Sequence, residues 1–451
     1  MAFDQTTIFK AYDVRGIVPA ELDADLAYKA GRALVLVLKP EQVAVGHDMR
    51  VSSSALAAAM IDGIRDQGAD VIDIGLVSSD ALYFSVGKYG FDAGVMITAS
   101  HNPPEYNGFK ICKEEARALS LDDGLDQIRD IALAGNFPEP EGGKRGDLIQ
   151  KEILPAYIEH VLQFVDTARI KPFKVAVDAG NGMAGRTIPL LFQHLPCELI
   201  PMYFELDGTF PNHPANPIDP AAMVDLQKTV VEQNCDLGVA FDGDADRMFL
   251  VDEHGKLVGG DITTAMVAIA LLEQHPGSTI CYNLICSRSV PETILAYGGR
   301  PYRTPVGHSL IKKIMRAEDA IFGGEHSGHY YFRDNWYADS GLIAMLAVLS
   351  LMSKEEKPLS EIVAPIENRV GSGEINLKVD DKPAAIARVK SHFVEQGAAA
   401  DEFDGLTIEF ADRWFNIRAS NTEPLLRVNV EGDTSDAMEA LRDDVLTVIG
   451  A

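Results

Sequence analysis

Cysteine is scarce and unpatterned in this chain. Cys112, Cys197, Cys235, Cys281 and Cys286 are odd in number and contain no CxxC pair, which argues against a disulfide framework or a cysteine-zinc site and fits reduced thiols in the cytoplasm. Long apolar runs are also missing, since segments such as 342–352 fall short of the roughly 20 residues needed to cross a bilayer. The opening Met-Ala-Phe-Asp-Gln-Thr-Thr has neither a basic start nor an apolar core, so no secretory leader is expected. Positive charge is in deficit: 40 Lys and Arg stand against 67 Asp and Glu, a formal net charge of -27. General binding to nucleic acid or to anionic membrane is therefore not expected. An anionic small molecule stays compatible with this balance if basic residues gather in one cleft. What is present is ordinary globular material, 47% hydrophobic and 24% charged over 451 residues, enough for about three or four domains.

The stretch Thr-Ala-Ser-His-Asn-Pro-Pro-Glu-Tyr-Asn-Gly-Phe-Lys, residues 98–110, follows the apolar run Ala-Gly-Val-Met-Ile, too short for a helix and right for a buried strand. Pro103 and Pro104 stop the strand and Gly108 permits a second bend. Ser100 is thus expected on a loop at a strand's carboxyl end, where open α/β sheets place their chemistry, with Lys110 folding back toward it. Around this loop, 43–46 reads as a strand, 53–67 as a helix and 71–74 as a second strand, a βαβ rhythm with a parallel sheet. Residues 8–16 read as a short edge strand carrying Lys10 and Arg15, and 135–147 as a linker or surface loop.

A second unit opens with the strand 173–178. Its glycine-rich sequel at 179–185 reads as a tight turn, since a glycine cluster alone is weak evidence for a phosphate cradle. The buried run 237–241 then leads into Asp-Gly-Asp-Ala-Asp-Arg at 242–247. Asp242, Asp244 and Asp246 at alternate positions converge on one hard cation if the loop curls, and magnesium is the expected ion. A calcium EF-hand is the competing reading, and it fails at position six, where Arg247 replaces the required glycine and a strand follows. In a third unit, strands are expected at 279–283 and 320–322, with helices near 261–273, 309–316 and 338–352. Arg-Thr-Pro-Val-Gly-His leads into a helix at His308. Glu325, Ser327 and His329 alternate, so an extended chain turns them to one side, where a carboxylate and a hydroxyl suit sugar hydroxyls. The last unit reads as α+β, with strands at 374–379, 406–410, 414–418 and 425–430, and helices at 383–396 and 435–449. Between its final strands, Arg418, Ser420, Asn421 and Thr422 are rich in donors, as a phosphate clamp needs. The expected divisions are 1–147, 148–251, 252–365 and 366–451.

Four loops, one per unit and in this order, resemble the signature loops of the α-D-phosphohexomutase family, with the bacterial phosphomannomutase branch the most similar. The resemblance covers essentially the whole chain. It implies three related α/β domains with mixed, largely parallel sheets and a smaller C-terminal α+β domain, in a heart shape about one cleft. It implies a phosphorylated Ser100, whose oxygen joins Asp242, Asp244 and Asp246 on Mg2+. Lys110 and His308 match proton-transfer positions and Arg247 a charge-stabilising one. Tyr12, Arg15, His101, Glu325, Ser327, His329, Arg418, Ser420, Asn421 and Thr422 fall at substrate-binding positions. Where some members carry a lysine this chain has Ile285, with Arg288 as a substitute. The implied reaction interconverts mannose 6-phosphate and mannose 1-phosphate through a hexose 1,6-bisphosphate, with glucose phosphates as further substrates, in a cytoplasmic monomer or weak homodimer. Phosphoglucomutase and phosphoglucosamine mutase activities, a magnesium-dependent sugar phosphatase and a non-catalytic sugar-phosphate binder are the alternatives.

Overall fold

The structure, a computed structural model, describes residues 3–419 and 425–450. Three sheets share one strand order. In the first, Gln42–His47 is central, Asp70–Leu76 lies on one side, Ala93–Ile97 on the other, and Tyr106–Lys113 returns antiparallel beyond it. Lys174–Asp178, Glu198–Met202, Leu237–Phe241 and Met248–Asp252 repeat that order in the second sheet. Thr279–Asn283, Arg300–Thr304, Phe322–Gly324 and Tyr330–Phe332 repeat it in the third. Helices such as Ser53–Asp66, Ser79–Tyr89, Pro220–Gln233 and His308–Ala317 make the crossovers. The strands before each return, Ala93–Ile97, Leu237–Phe241 and Phe322–Gly324, are buried throughout, which is why they read as unbroken apolar or glycine runs rather than alternating ones.

One continuous apolar cluster runs through all three of these units, from Phe84 through Tyr157 and Val239 to Leu346. The helices Gly260–Gln274 and Gly341–Glu355 are its centre, buried along nearly their whole length. The fourth sheet is entirely antiparallel, ordered Val370–Leu377, Leu426–Gly432, Arg413–Ala419, Leu406–Glu409 and Ala399–Asp401. It packs under Lys382–Glu395 and Ser435–Ile449 around a separate core. The fold is the expected one: three related α/β units and a smaller α+β unit.

Several local expectations shift. The amino-terminal stretch begins as a 3-10 turn at Gln5–Ile8, capped by Asp4, and the strand forms only at Val14–Ile17. The strand expected at 320–322 is displaced to Phe322–Gly324 because the glycines themselves pair with the sheet, and a Cβ on Gly324 would lie 2.2 Å from Thr264 Oγ1. The helix expected from 338 starts at Gly341, since Ala338–Asp339 is used as a strand and Ser340 caps the helix by accepting from the Ile343 N–H. Leu148–Gln150, assigned by sequence to the second unit, is an edge strand of the first sheet. Leu257–Val258, assigned to the third, pairs in the second.

Candidate active site

Ser100 and the aspartate trio occupy equivalent places in their sheets, each on the connection from a buried parallel strand to its antiparallel return. Gly243 lets the two loops touch: a Cβ there would sit 2.4 Å from the Ser100 carbonyl oxygen. The glycine-rich turn at 179–185 packs beneath, where the Met183 N–H donates to the Gly243 carbonyl at 2.9 Å and a Cβ on Gly182 would come within 2.7 Å of the same oxygen. It serves close packing, as a plain turn does, and holds the acidic loop in place.

Ser100 is buried and left-handed, with φ +51°. Its Oγ donates to Asp242 Oδ2 at 2.6 Å, accepts from Arg247 Nη2 at 3.3 Å, and lies 3.2 Å from His101 Nδ1. Arg247 also grips Asp242 through Nε and Nη2, each at 2.9 Å. Lys110 folds back as expected, with Nζ 2.5 Å from Asp244 Oδ2 and 2.5 Å from Asp246 Oδ2. Burial opposes ionisation of Asp244, but the Lys110 ammonium outweighs it and holds that carboxyl below the usual carboxylate range. Burial and then the neighbouring Asp244 charge push Asp246 up to about 6. Burial works against the Lys110 charge too, yet the two aspartates raise its pKa well above normal, so it stays an ammonium.

One oxygen from each of Asp242, Asp244 and Asp246 lies within 4.8 Å of the others. Asp244 Oδ1 and Asp246 Oδ1 are buried with no hydrogen-bond partner among the described residues. Unpaired buried carboxylate oxygens are costly, and an all-oxygen donor set suits a hard divalent cation. The residues present fit such an ion.

The third unit closes on this centre. Glu325 and Ser327 meet because the chain turns, the Gly328 N–H donating to the Glu325 carbonyl at 3.0 Å, and not because it is extended; Ser327 Oγ donates to Glu325 Oε2 at 3.1 Å. His329 parts from them. Its Nδ1 is 3.0 Å from Asp339 Oδ2 and 3.8 Å from Asp246 Oδ1. Asp339 is in turn held by the buried Lys312 Nζ at 2.6 Å, which faces the rings of Tyr83 and Tyr331 at 4.5 and 5.3 Å. The His308 ring meets Tyr12 edge-on at 4.3 Å between centroids; burial and then the Lys312 charge keep its pKa well below the ordinary value, so it is neutral. Arg15 binds Asp13 at 2.7 Å and Asn102 Oδ1, framing the serine loop. Arg418 is buried beside Glu374 at 3.4 Å, with its Nε unpaired among the described residues. Ser420, Asn421 and Thr422 lie outside the described residues.

Arg288, expected as a substitute for the lysine, is engaged between two units. Its guanidinium donates to the Phe410 carbonyl at 3.0 Å and lies 3.5 Å from Glu409, tying the third unit to the fourth, while Ile285 is buried and apolar. Sequence reasoning missed Asp48, Arg50, Ser79, Asp80, Lys312 and Asp339. Ser79 Oγ donates to Asp244 Oδ2 at 2.5 Å. The Asp80 carboxylate gathers Ser78 and Tyr157 and accepts from Ser340 Oγ at 3.0 Å, joining three units at one point. For Asp48, Arg50, Ser79 and Asp80 the sequence offered only position, polar residues just past the carboxyl ends of parallel strands at Gln42–His47 and Asp70–Leu76, with nothing to name their partners. Lys312, inside a helix, and Asp339, in an antiparallel strand, had no such signal.

Models of the four phosphoglucomutase/phosphomannomutase domains match in order: the alpha/beta/alpha domains I, II and III over 6–139, 155–255 and 259–369, and the C-terminal domain over 374–448. The chain belongs to the phosphoglucomutase/phosphomannomutase family. As a member it is a phosphohexomutase. It is 42% identical to a phosphomannomutase of Salmonella montevideo over 99% of both chains. Against a phosphomannomutase of Escherichia coli K12 it is 41% identical, covering 98% of this chain and 99% of that one. Among solved structures, a phosphoglucomutase/phosphomannomutase family protein from Burkholderia thailandensis superposes with a TM-score of 0.90 at 32% identity, over 99% of this chain and 98% of the other. No helix among the described residues is long and apolar enough to cross a membrane.

Proposed function

We propose that this phosphohexomutase interconverts mannose 6-phosphate and mannose 1-phosphate, using glucose phosphates as secondary substrates, through a phosphoserine at Ser100. The observation that carries the reading is the meeting of a buried serine Oγ with the aspartate trio, 2.6 Å from Asp242 and flanked by Arg247 and Lys110. The phosphorylated Ser100 gives its phosphoryl group to the free hydroxyl of the hexose monophosphate. The Ser100 O–P bond breaks, a sugar O–P bond forms, and the hydroxyl proton passes to a neighbouring base. The hexose 1,6-bisphosphate then turns over and returns its other phosphoryl group to Ser100.

Mg2+ held by Asp242, Asp244, Asp246 and a phosphoserine oxygen would neutralise charge on the group in transit. The Arg247 guanidinium and the Lys110 ammonium stabilise the developing negative charge. Neutral His308 is the proton acceptor. His329 lies alongside with its Nδ1 held by Asp339; burial opposes its charge, but Asp246 and Asp339 outweigh it and raise its pKa, which suits a proton donor rather than an acceptor. Glu325 and Ser327 bind sugar hydroxyls. Arg418, with Ser420, Asn421 and Thr422, holds the phosphate that is not being transferred, and Tyr12, Arg15 and His101 complete the cleft. Contacts to hydroxyls shared by mannose and glucose do not separate the two sugars, which is why glucose phosphates are accepted. The fourth unit has a core of its own, which suits an opening movement for the turn of the intermediate. The enzyme works in the cytoplasm as a monomer or weak homodimer.

Intact-mass measurement, with the site mapped by fragmentation, is expected to find one phosphoryl group on Ser100, lost in Ser100→Ala together with turnover. Comparison of mannose, glucose and glucosamine 1-phosphates is expected to rank mannose first. Phosphate released stoichiometrically to water, without isomerisation, would make the protein a phosphatase instead.

A further inference from the structure

Ser100 sits at φ +51°, in the left-handed region, where a residue with a Cβ is held only if its surroundings enforce it. The enforcement comes from a single ion pair in a different stretch of chain. The Arg50 guanidinium donates to four carbonyl oxygens of the serine loop: Ser100 and Pro103 at 2.8 Å, Asn102 at 2.6 Å and Tyr106 at 2.9 Å. Asp48, with Oδ2 3.4 Å from Arg50 Nε, accepts from Thr98 Oγ1 at 2.6 Å, and Thr98 Oγ1 accepts the Ser100 N–H at 3.0 Å. Both peptide groups flanking Ser100 are therefore anchored to the same pair, the amide through Thr98 and the carbonyl directly.

The pair is itself fixed. Asp48 Oδ1 accepts from the Arg50 N–H at 2.9 Å and from Ser53 Oγ at 2.5 Å, and both charged side chains are fully buried. The second unit covers it: the Phe210 ring lies 5.1 Å from the guanidinium, and Gly208 approaches so closely that a Cβ there would be 2.5 Å from Arg50 Cα. No described hydrogen bond joins Arg50 to Ser100 Oγ; its grip on the loop is on backbone carbonyls.

We infer that Arg50, backed by Asp48, is a positioning residue for phosphoryl transfer. It sets the backbone of Ser100 so that Oγ, or the phosphoryl group on it, faces the aspartate trio. It also holds that setting while the side chain changes charge during each cycle. A planar fork with several rigid donors is what four divergent carbonyls need, and the single ammonium of lysine cannot span them. This inference rests on the phosphoserine reading above.

The test is Arg50→Lys, with Thr98→Val as a second, isosteric variant that frees the Ser100 amide while leaving Arg50 in place. Phosphoserine is counted by intact mass, and single-turnover transfer from phosphorylated enzyme to mannose 6-phosphate is measured per phosphoserine. Expected is a 10- to 100-fold slower transfer in both variants, a KM for mannose 6-phosphate within twofold of the parent, and a larger share of the phosphoryl group lost to water. A merely structural role would reduce the amount of active enzyme and leave the rate per phosphoserine and the partition to water unchanged, and that result overturns the inference. If Arg50→Lys does not fold, parent-like transfer per phosphoserine in Thr98→Val overturns it by itself. If the parent enzyme carries no transferable phosphoserine, the phosphoserine reading fails, which is a distinct result from parent and variants transferring equally.

Discussion

Replacing Lys110 by methionine isolates the electrostatics of the aspartate trio. In the folded chain its ammonium is 2.5 Å from both Asp244 and Asp246, and all three side chains are buried. Methionine conserves most of the volume and removes the charge, leaving carboxylate oxygens within 4.8 Å of one another. At that distance two unit charges repel by about 3 kcal/mol at an effective dielectric of 20, and stripping one partner from a buried pair costs roughly 3–5 kcal/mol. For the two units that carry these residues, 1–147 and 148–251, at about 4 °C per kcal/mol for domains of that size, it corresponds to a fall in melting temperature of roughly 12–20 °C. A divalent cation at the trio replaces the lost charge, and at 100-fold excess over its Kd it restores about 2.7 kcal/mol. The assay is thermal unfolding of parent and Lys110→Met in EDTA and in excess Mg2+. Expected is a large deficit in EDTA, mostly recovered with Mg2+, and a smaller Mg2+ effect on the parent. A variant that melts with the parent in EDTA, or a deficit untouched by Mg2+, would refute the idea that this lysine neutralises a cation-binding carboxylate cluster.

Three further outcomes are expected. Burial, opposed by bonds from Ser78, Tyr157 and Ser340, pushes the Asp80 carboxyl up to about 7 from its ordinary 3.8; a raised folded-state pKa gives stability that is full below 3.8 and is lost as pH rises through about 7, so melting of the parent relative to Asp80→Asn is expected to decline across that window. Gly243→Ala places a Cβ 2.4 Å from the Ser100 carbonyl, and kcat is expected to fall at least 10-fold with the KM for mannose 6-phosphate little changed, as steady-state kinetics will report. Arg288→Ala breaks the bond to the Phe410 carbonyl, and the melting of the fourth unit is expected to drop by the equivalent of about 1 kcal/mol with no loss of bisphosphate binding in calorimetry; a substrate contact at Arg288 would reverse that pattern.

The legible parts of this protein were those whose partners lie nearby in the chain. Asp242, Asp244 and Asp246 are two residues apart and share a loop, Ser100 announces itself through the prolines that follow, and the helix at Ser435–Ile449 matched its apolar spacing. Arg50 and Asp80 were not legible because their importance lies in partners 50 to 260 residues away. Nor could the sequence say which of Lys312 and Lys313 faces inward, since both sit on one amphipathic helix and only packing against Tyr83 and Tyr331 decides it. The alternation of Glu325, Ser327 and His329 put the first two together for the wrong reason, a turn where extension was assumed.

The common strand order of the three α/β sheets has a consequence for how such a protein can change. Each signature loop of those sheets is strapped at both ends to paired strands, so its own wobble is small and its accuracy is inherited from how one sheet leans on the next. Variants that alter catalysis without touching substrate should therefore gather along the seams, at places such as Asp80, Phe210 and Arg288, and an engineer wishing to retune the enzyme would do better to re-angle its blocks than to redraw its loops.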